Sequence, residues 1–187
     1  MNRQTAAVAH REAGAAAVPA GQYLTFMLGG EDYAIGILAI KEIIEHGQMT
    51  RVPMMPEFIR GVINLRGAVV PVIDLGVRFD GQATVMGKRT CIVILEVQAN
   101  DGEGEAHDVG ILVDAVNEVM DIAAADVEPA PAFGTHIRTD FIAGMGKVED
   151  KFVVILDPAR VLSVDEMTAL AQTTAQAPVS EIDSGRE

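Results

Sequence analysis

The sequence predicts a mainly β fold, made of a duplicated pair of small barrels, and three observations predict it. The first is texture. Residues 22–28, 69–73, 90–97, 109–113 and 152–156 are runs of five to eight residues dense in Val, Ile and Leu, bounded by Gly, Asp, Asn or Pro. That length and those boundaries favour strands over helices. The second is an internal repeat. Residues 58–79 (FIRGVINLRGAVVPVIDLGVRF) align without a gap on residues 141–162 (FIAGMGKVEDKFVVILDPARVL), at an offset of 83. Phe58/Phe141, Ile59/Ile142, Gly61/Gly144, Val70/Val153 and Asp74/Asp157 are identical, and six further pairs exchange one apolar residue for another. Upstream, AIKEII (39–44) matches AVNEVM (115–120), and a Pro-containing loop follows each. The third is size: two copies within about 145 residues leave each too small for a large sandwich. Two small barrels, or a pseudo-symmetric pair sharing a core, satisfy all three. Which strands belong to which barrel stays open, because the halves could exchange strands.

The elements follow in order. Residues 1–20 hold eight Ala, have little periodicity and close on Pro19-Ala20-Gly21, which predicts a flexible tail. After the first strand, residues 37–46 read as a short helix stopped by Gly47. Asn64-Leu65-Arg66-Gly67 is a turn between apolar strands, with Arg66 at its tip. Asp74 and Asp157 end equivalent strands and cap the turns that follow, Asp157 with Pro158 at the first helical position. Residues 98–108 (QANDGEGEAHD) form a polar, acidic connection between two strands. Residues 115–120 read as a second short helix with Asp114 as N-cap. Ser163-Val164-Asp165-Glu166 has capping-box spacing and predicts a short C-terminal helix, followed by a second tail at 172–187.

Composition excludes several functions. With 49% hydrophobic and 22% charged residues, the 187-residue chain has the balance of a folded protein with a real core. Its charge of −13, from 27 acidic and 14 basic side chains, repels phosphate backbones, and 4% aromatics with no Trp leave little to stack bases on. Nucleic acid is therefore not expected as a partner. No apolar stretch approaches the roughly 20 residues that span a bilayer. His10, Arg11 and Glu12 interrupt any signal-peptide core. The single cysteine, Cys91, excludes an internal disulfide, and a cytoplasmic protein is the expectation.

Catalytic and metal chemistry find little support. His10, His46, His107 and His136 are scattered without ligand spacing, so no metal and no cofactor is expected. Cys91, inside TCIVIL, reads as a small buried hydrophobe. Gly144-Met145-Gly146-Lys147 lacks the spacing of a phosphate loop and reads as a turn. Asp74 and Asp157 superficially suggest an aspartic-protease dyad. The residues after them, Leu75-Gly76 and Pro158-Ala159, lack the hydroxyl that such a dyad needs. Arg66 differs in kind: an Arg on a rigid turn of an acidic protein makes a good binding anchor. Glu42, on the short helix predicted at 37–46, could face the same groove.

Four segments, in order, resemble the CheW family of bacterial chemotaxis coupling proteins: QYLTFMLGGEDYAIGILAIKEII, RVPMMPEFIRGVINLRGAVVPVIDL, VGILVDAVNEVM and FIAGMGKVEDKFVVILDPARVL. The resemblance covers about residues 21–170, and a domain at 21–171 between the two tails is expected. The same module ends the kinase CheA and begins CheV adaptors, but this chain is short and carries no receiver-like domain after the module. For such a family the resemblance implies two packed five-stranded SH3-like β-barrels and no catalysis. It implies an adaptor that bridges the cytoplasmic hairpin tip of chemoreceptors to the regulatory domain of CheA, recruited to membrane-associated arrays without inserting in the membrane. Carried over by position, Glu42 and Arg66 are the functional pair. Gly61 and Ile40 are tied to partner binding, and Val119 lines an apolar groove. A coupling protein of a non-chemotaxis array would share every one of these features. The Ala-rich head and the acidic 98–108 loop depart from the pattern without touching a motif.

Overall fold

The computed structural model describes residues 21–98, 105–131 and 138–163. Within them the strands are β1 (Gly21–Leu28), β2 (Glu31–Gly36), β3 (Ile40–Glu45), β4 (Ile59–Leu65), β5 (Ala68–Asp74), β6 (Cys91–Val97), β7 (His107–Val113), β8 (Ala115–Ile122), β9 (Val127–Glu128), β10 (Ile142–Val148) and β11 (Lys151–Leu156). Short helices α1 (Leu75–Asp80) and α2 (Pro158–Val161) follow β5 and β11. The strands form a five-stranded sheet, ordered β3-β6-β7-β5-β4, and a six-stranded one, ordered β8-β1-β2-β11-β10-β9, in which β9 supplies only two residues. The mainly β, two-barrel expectation is borne out.

The repeat reappears as hydrogen-bond register. In the β4–β5 hairpin Ile59 pairs with Ile73 and, after a bulge, Gly61 with Val72. In the β10–β11 hairpin Ile142 pairs with Leu156 and, after a bulge, Gly144 with Ile155. Both hairpins turn through two residues of positive φ, Arg66-Gly67 and Glu149-Asp150, which is the mirror-image turn that matches strand twist. The Asp74 amide donates to the Phe58 carbonyl (2.7 Å), and the Asp157 amide to the Phe141 carbonyl (2.9 Å). Duplication therefore preserved backbone geometry where the side chains diverged.

The barrels are built by exchange. Hairpin β1–β2 comes from the first half of the chain but pairs with β8 and β11 of the second. Hairpin β6–β7 comes from the second half and pairs with β3 and β5 of the first. The β2–β11 and β5–β7 contacts are parallel, as strands brought together from distant segments allow.

Exchange also explains the continuous apolar runs. On β6 and β7, Ile92, Ile94 and Leu112 fill one barrel with Ile63, Val70 and Val72. The alternate residues Val93, Leu95, Val97, Val109, Ile111 and Val113 join a central core with Leu24, Phe26, Leu28 and Ile35 of β1 and β2. Strands buried on both faces lose the period-2 pattern. The other barrel is filled by Tyr23, Ala34, Ile122, Val153 and Ile155. Its partner is tight enough that a Cβ on Gly110 would come within 2.8 Å of the Ile92 methyl.

Four expectations are corrected or limited. Residues 37–46 are not a helix: a 3₁₀ turn, Ile37–Ala39, leads into strand β3. In IKEIIE the half-buried Ile40, Glu42 and Ile44 alternate with the exposed Lys41, Ile43 and Glu45. That is a strand's period, and three β-branched Ile residues prefer it. Residues 115–120 likewise belong to β8, and the Asp114 carboxylate accepts from the Gly29 amide instead of capping a helix (2.8 Å). Gly144–Lys147 lies inside β10, with the turn two residues later at Glu149-Asp150. The tails at 1–20 and 172–187, and the helix expected from Ser163 onward, lie outside the described residues apart from Ser163 itself.

Candidate binding surface

The two aspartates are structural caps. Asp157 accepts from the Ala159 amide (3.1 Å) at the start of α2, with Pro158 at the first helical position. Asp74 does more. It is fully buried, and its Oδ1 accepts from the Gly76 amide (3.0 Å), the Val77 amide (3.4 Å) and the Thr84 hydroxyl (2.8 Å). Its Oδ2 accepts from the Thr84 amide (2.9 Å) and Arg60 Nη1 (2.7 Å). A buried carboxylate is tolerable only when paired and saturated in this way. The two carboxylates end strands of different barrels and each serves its own helix, so they make no protease dyad.

Cys91 is half-buried at the edge of the central core, and its thiol donates to the Arg89 carbonyl (3.3 Å). His46 Nε2 lies 3.0 Å from the Gly87 carbonyl, and His107 is exposed at the start of β7. No group of metal-ligating side chains assembles among the described residues. His10 and His136 are not among them.

Glu42 and Arg66 do come together. β3 is the outer strand of its sheet, and β4, at the opposite end of the strand order, leads into the turn carrying Arg66. Arg66 Nη2 stands 3.1 Å from each oxygen of the Glu42 carboxylate, bridging the two ends of the sheet. The Asn64 carboxamide oxygen accepts from the Gly67 amide (2.8 Å), so the turn is held rigidly beneath the arginine. The Arg66 side chain remains 78% exposed, against 29% for Glu42. The strand assignment of β3 also brings out Ile43, which lies beside Glu42 and is 43% exposed. Once the segment is a strand, counting IKEIIE by twos puts Ile43 on the outward face.

The other expected residues have distinct surroundings. Ile40 packs against the central core from the first position of β3. Gly61 sits where a Cβ would lie 2.7 Å from the Thr50 carbonyl oxygen. Thr50 and Val62 exchange backbone hydrogen bonds of 2.8 and 2.9 Å, so Gly61 lets the β3–β4 loop lie against β4. Val119 belongs to the other barrel, on β8, opposite Leu24. It is 50% exposed, and in the 39–44/115–120 alignment it is the counterpart of Ile43. Ile40 and Glu42 on β3 and Val119 on β8 thus lie on related outer strands, one in each barrel. An apolar cleft of about 420 Å³ opens where the chain crosses from β2 to β3, lined by Tyr23, Ile37, Leu38, Ala39 and Pro158. Leu38 stands wholly in solvent beside it. No helix of the described residues is long and apolar enough to cross a membrane.

Known proteins share both sequence and fold. Residues 22–166 match the CheW-like domain family. The chain is 37% identical over 155 residues to the chemotaxis protein CheW of Klebsiella aerogenes, covering 83% of this chain and 89% of that one. It is 32% identical over 128 residues to protein FrzA of Myxococcus xanthus, covering 66% and 73%. The crystal structure of the scaffolding protein TtCheW from Thermoanaerobacter tengcongensis superposes with a TM-score of 0.68 at 35% identity, covering 78% of this chain and 90% of that one. With its duplicated barrels and a family match over nearly all of the described chain, this chain belongs to the CheW family of non-catalytic chemotaxis scaffold proteins.

Proposed function

We propose that the chain couples chemoreceptors to the histidine kinase CheA, with the Glu42–Arg66 edge facing the receptor. The observation that carries this reading is the ion pair itself. An exposed Arg held on a rigid turn at the open edge of a sheet contributes little to folding, since such pairs are worth about 0–1 kcal/mol. It is well placed to orient a polar contact. A receptor tip is a helical hairpin, and a helix docks on apolar anchors flanked by polar ones. Ile43 and Val119 offer exposed apolar side chains for this, and Ile40 and Gly61 support the strands beneath. The regulatory domain of CheA would take a second surface at a barrel end, and the protein would join the membrane-associated array through these contacts alone. Individually modest contacts suffice where many copies are tied together.

The test measures receptor and kinase affinity separately for Arg66→Ala, alongside its urea midpoint. Receptor affinity should fall roughly 30-fold, as for a desolvated guanidinium contact of about 2 kcal/mol, with the midpoint nearly unchanged. Normal receptor binding by the folded variant would sink the assignment. A second reading, a coupling protein of a non-chemotaxis array, is favoured by the likeness to FrzA. Identifying the kinase that co-purifies with the chain separates the two.

A further inference from the structure

Arg78 lies where the two copies of the repeat meet. It is carried by α1 of the first barrel, and its guanidinium carbon stands 4.8 Å from the ring centre of Phe58 and 4.8 Å from that of Phe141. Those two phenylalanines are counterparts, 83 residues apart. Arg78 Nε also donates to the carbonyl of Val161 on α2 (2.8 Å), and Val161 is the counterpart of Arg78 itself. A residue that touches its own counterpart lies on the axis relating the two copies, as in an isologous interface. The neighbouring Phe79 reaches across in the same direction, with its ring centre 5.8 Å from Tyr33 and 6.0 Å from Phe141, both in the second barrel.

The central apolar core holds the barrels together, but burial of apolar surface has no preferred direction. A planar guanidinium between two rings, anchored by a directed hydrogen bond to Val161, does have a preferred direction. We infer that Arg78 pins the rotation of one barrel against the other and so fixes where the β3 edge of one stands relative to the β8 edge of the other. That these edges serve coupling rests on the function proposed above; the pin itself does not.

The test uses the full chain with Cys91→Ser, spin-labelled at Val69→Cys and Phe152→Cys. These positions are exposed counterparts, one in each barrel. With Arg78 in place the label-to-label distance should form one narrow peak. Arg78→Lys keeps charge and length but loses the plane and the Nε donor, and the peak should roughly double in width or split. Arg78→Met should do the same. Should neither fold, Phe58→Leu removes one ring, leaves Arg78 in place and carries the same expectation. A peak unchanged in width and position in a folded variant overturns the inference. Distances are read without receptor or kinase, so a failed coupling assignment at Arg66 would leave this result standing, and the reverse holds too.

Discussion

At the scale of the residue, Arg66 occupies a backbone conformation that its side chain does not favour, with φ at +52°. A left-handed residue other than Gly costs roughly 1 kcal/mol. Arg66→Gly should therefore be more stable than Arg66→Ala by about that amount, in urea unfolding, although both lose the contact with Glu42. A strained arginine in a weak ion pair is what the binding role proposed above expects. Tyr33 makes a different single-residue prediction. Burial, then the charge of Glu31 and its hydrogen bond with the phenol (3.2 Å), push the Tyr33 pKa above its ordinary 10.0. Burial raises Tyr23 as well. Above about pH 10 the unfolded chain releases these protons while the folded one retains them, so stability falls as pH rises. Urea midpoints taken between about pH 9 and pH 11 should decline, and Tyr33→Phe should flatten the decline.

At the scale of the element, equivalent positions of the repeat have unequal weights. Asp74 and Asp157 both cap short helices, but only Asp74 is fully buried and holds Arg60 and Thr84 as well. Asp74→Asn leaves Arg60 facing an uncharged amide in a site built for a carboxylate and should cost about 2–4 kcal/mol. Asp157→Asn should cost about 1 kcal/mol or less, because Asn also caps well. Equal midpoint shifts for the two would contradict this division. Gly61 acts through its neighbour. The Cβ of Gly61→Ala would meet the Thr50 carbonyl, which is backbone and cannot swing away. Loss of roughly 1–3 kcal/mol is expected, with faster hydrogen exchange at the Thr50 and Val62 amides as its local signature. Any effect of that substitution on partner binding would then pass through the displaced loop.

At the scale of the whole molecule, strand exchange makes the two halves interdependent. Neither residues 1–88 nor residues 89–187 contain a complete barrel, because β1–β2 and β6–β7 each reside with the other half. Each fragment alone should lack a cooperative urea transition, and mixing the two should restore one. A cooperative transition in either isolated fragment would mean that the exchange is not obligatory. Pairings between such distant segments also predict slow folding, on the millisecond-to-second scale of high-contact-order β proteins.

The sequence alone determined the β class, the duplication and its register. Dense apolar runs of strand length, their turn-residue boundaries and a gapless offset are read directly along the chain, and the matching bulges at Ile59/Gly61 and Ile142/Gly144 kept the two copies aligned. It also brought out Arg66 and Gly67 as a turn and Asp74 and Asp157 as caps, because capping and turn chemistry act over two or three residues. Only tertiary structure decided that residues 40–45 and 115–122 are strands, since a short Ile- and Val-containing segment satisfies either period until a neighbouring strand supplies its hydrogen bonds. Tertiary structure likewise decided that Glu42 meets Arg66, 24 residues away, and that β1–β2 and β6–β7 change places. Apolar strands of similar composition carry no local mark of their partners. Which pair forms is set by the closure of each barrel around side chains as small as Gly110 and Ala34, a constraint of volume that exists only once the chain has folded.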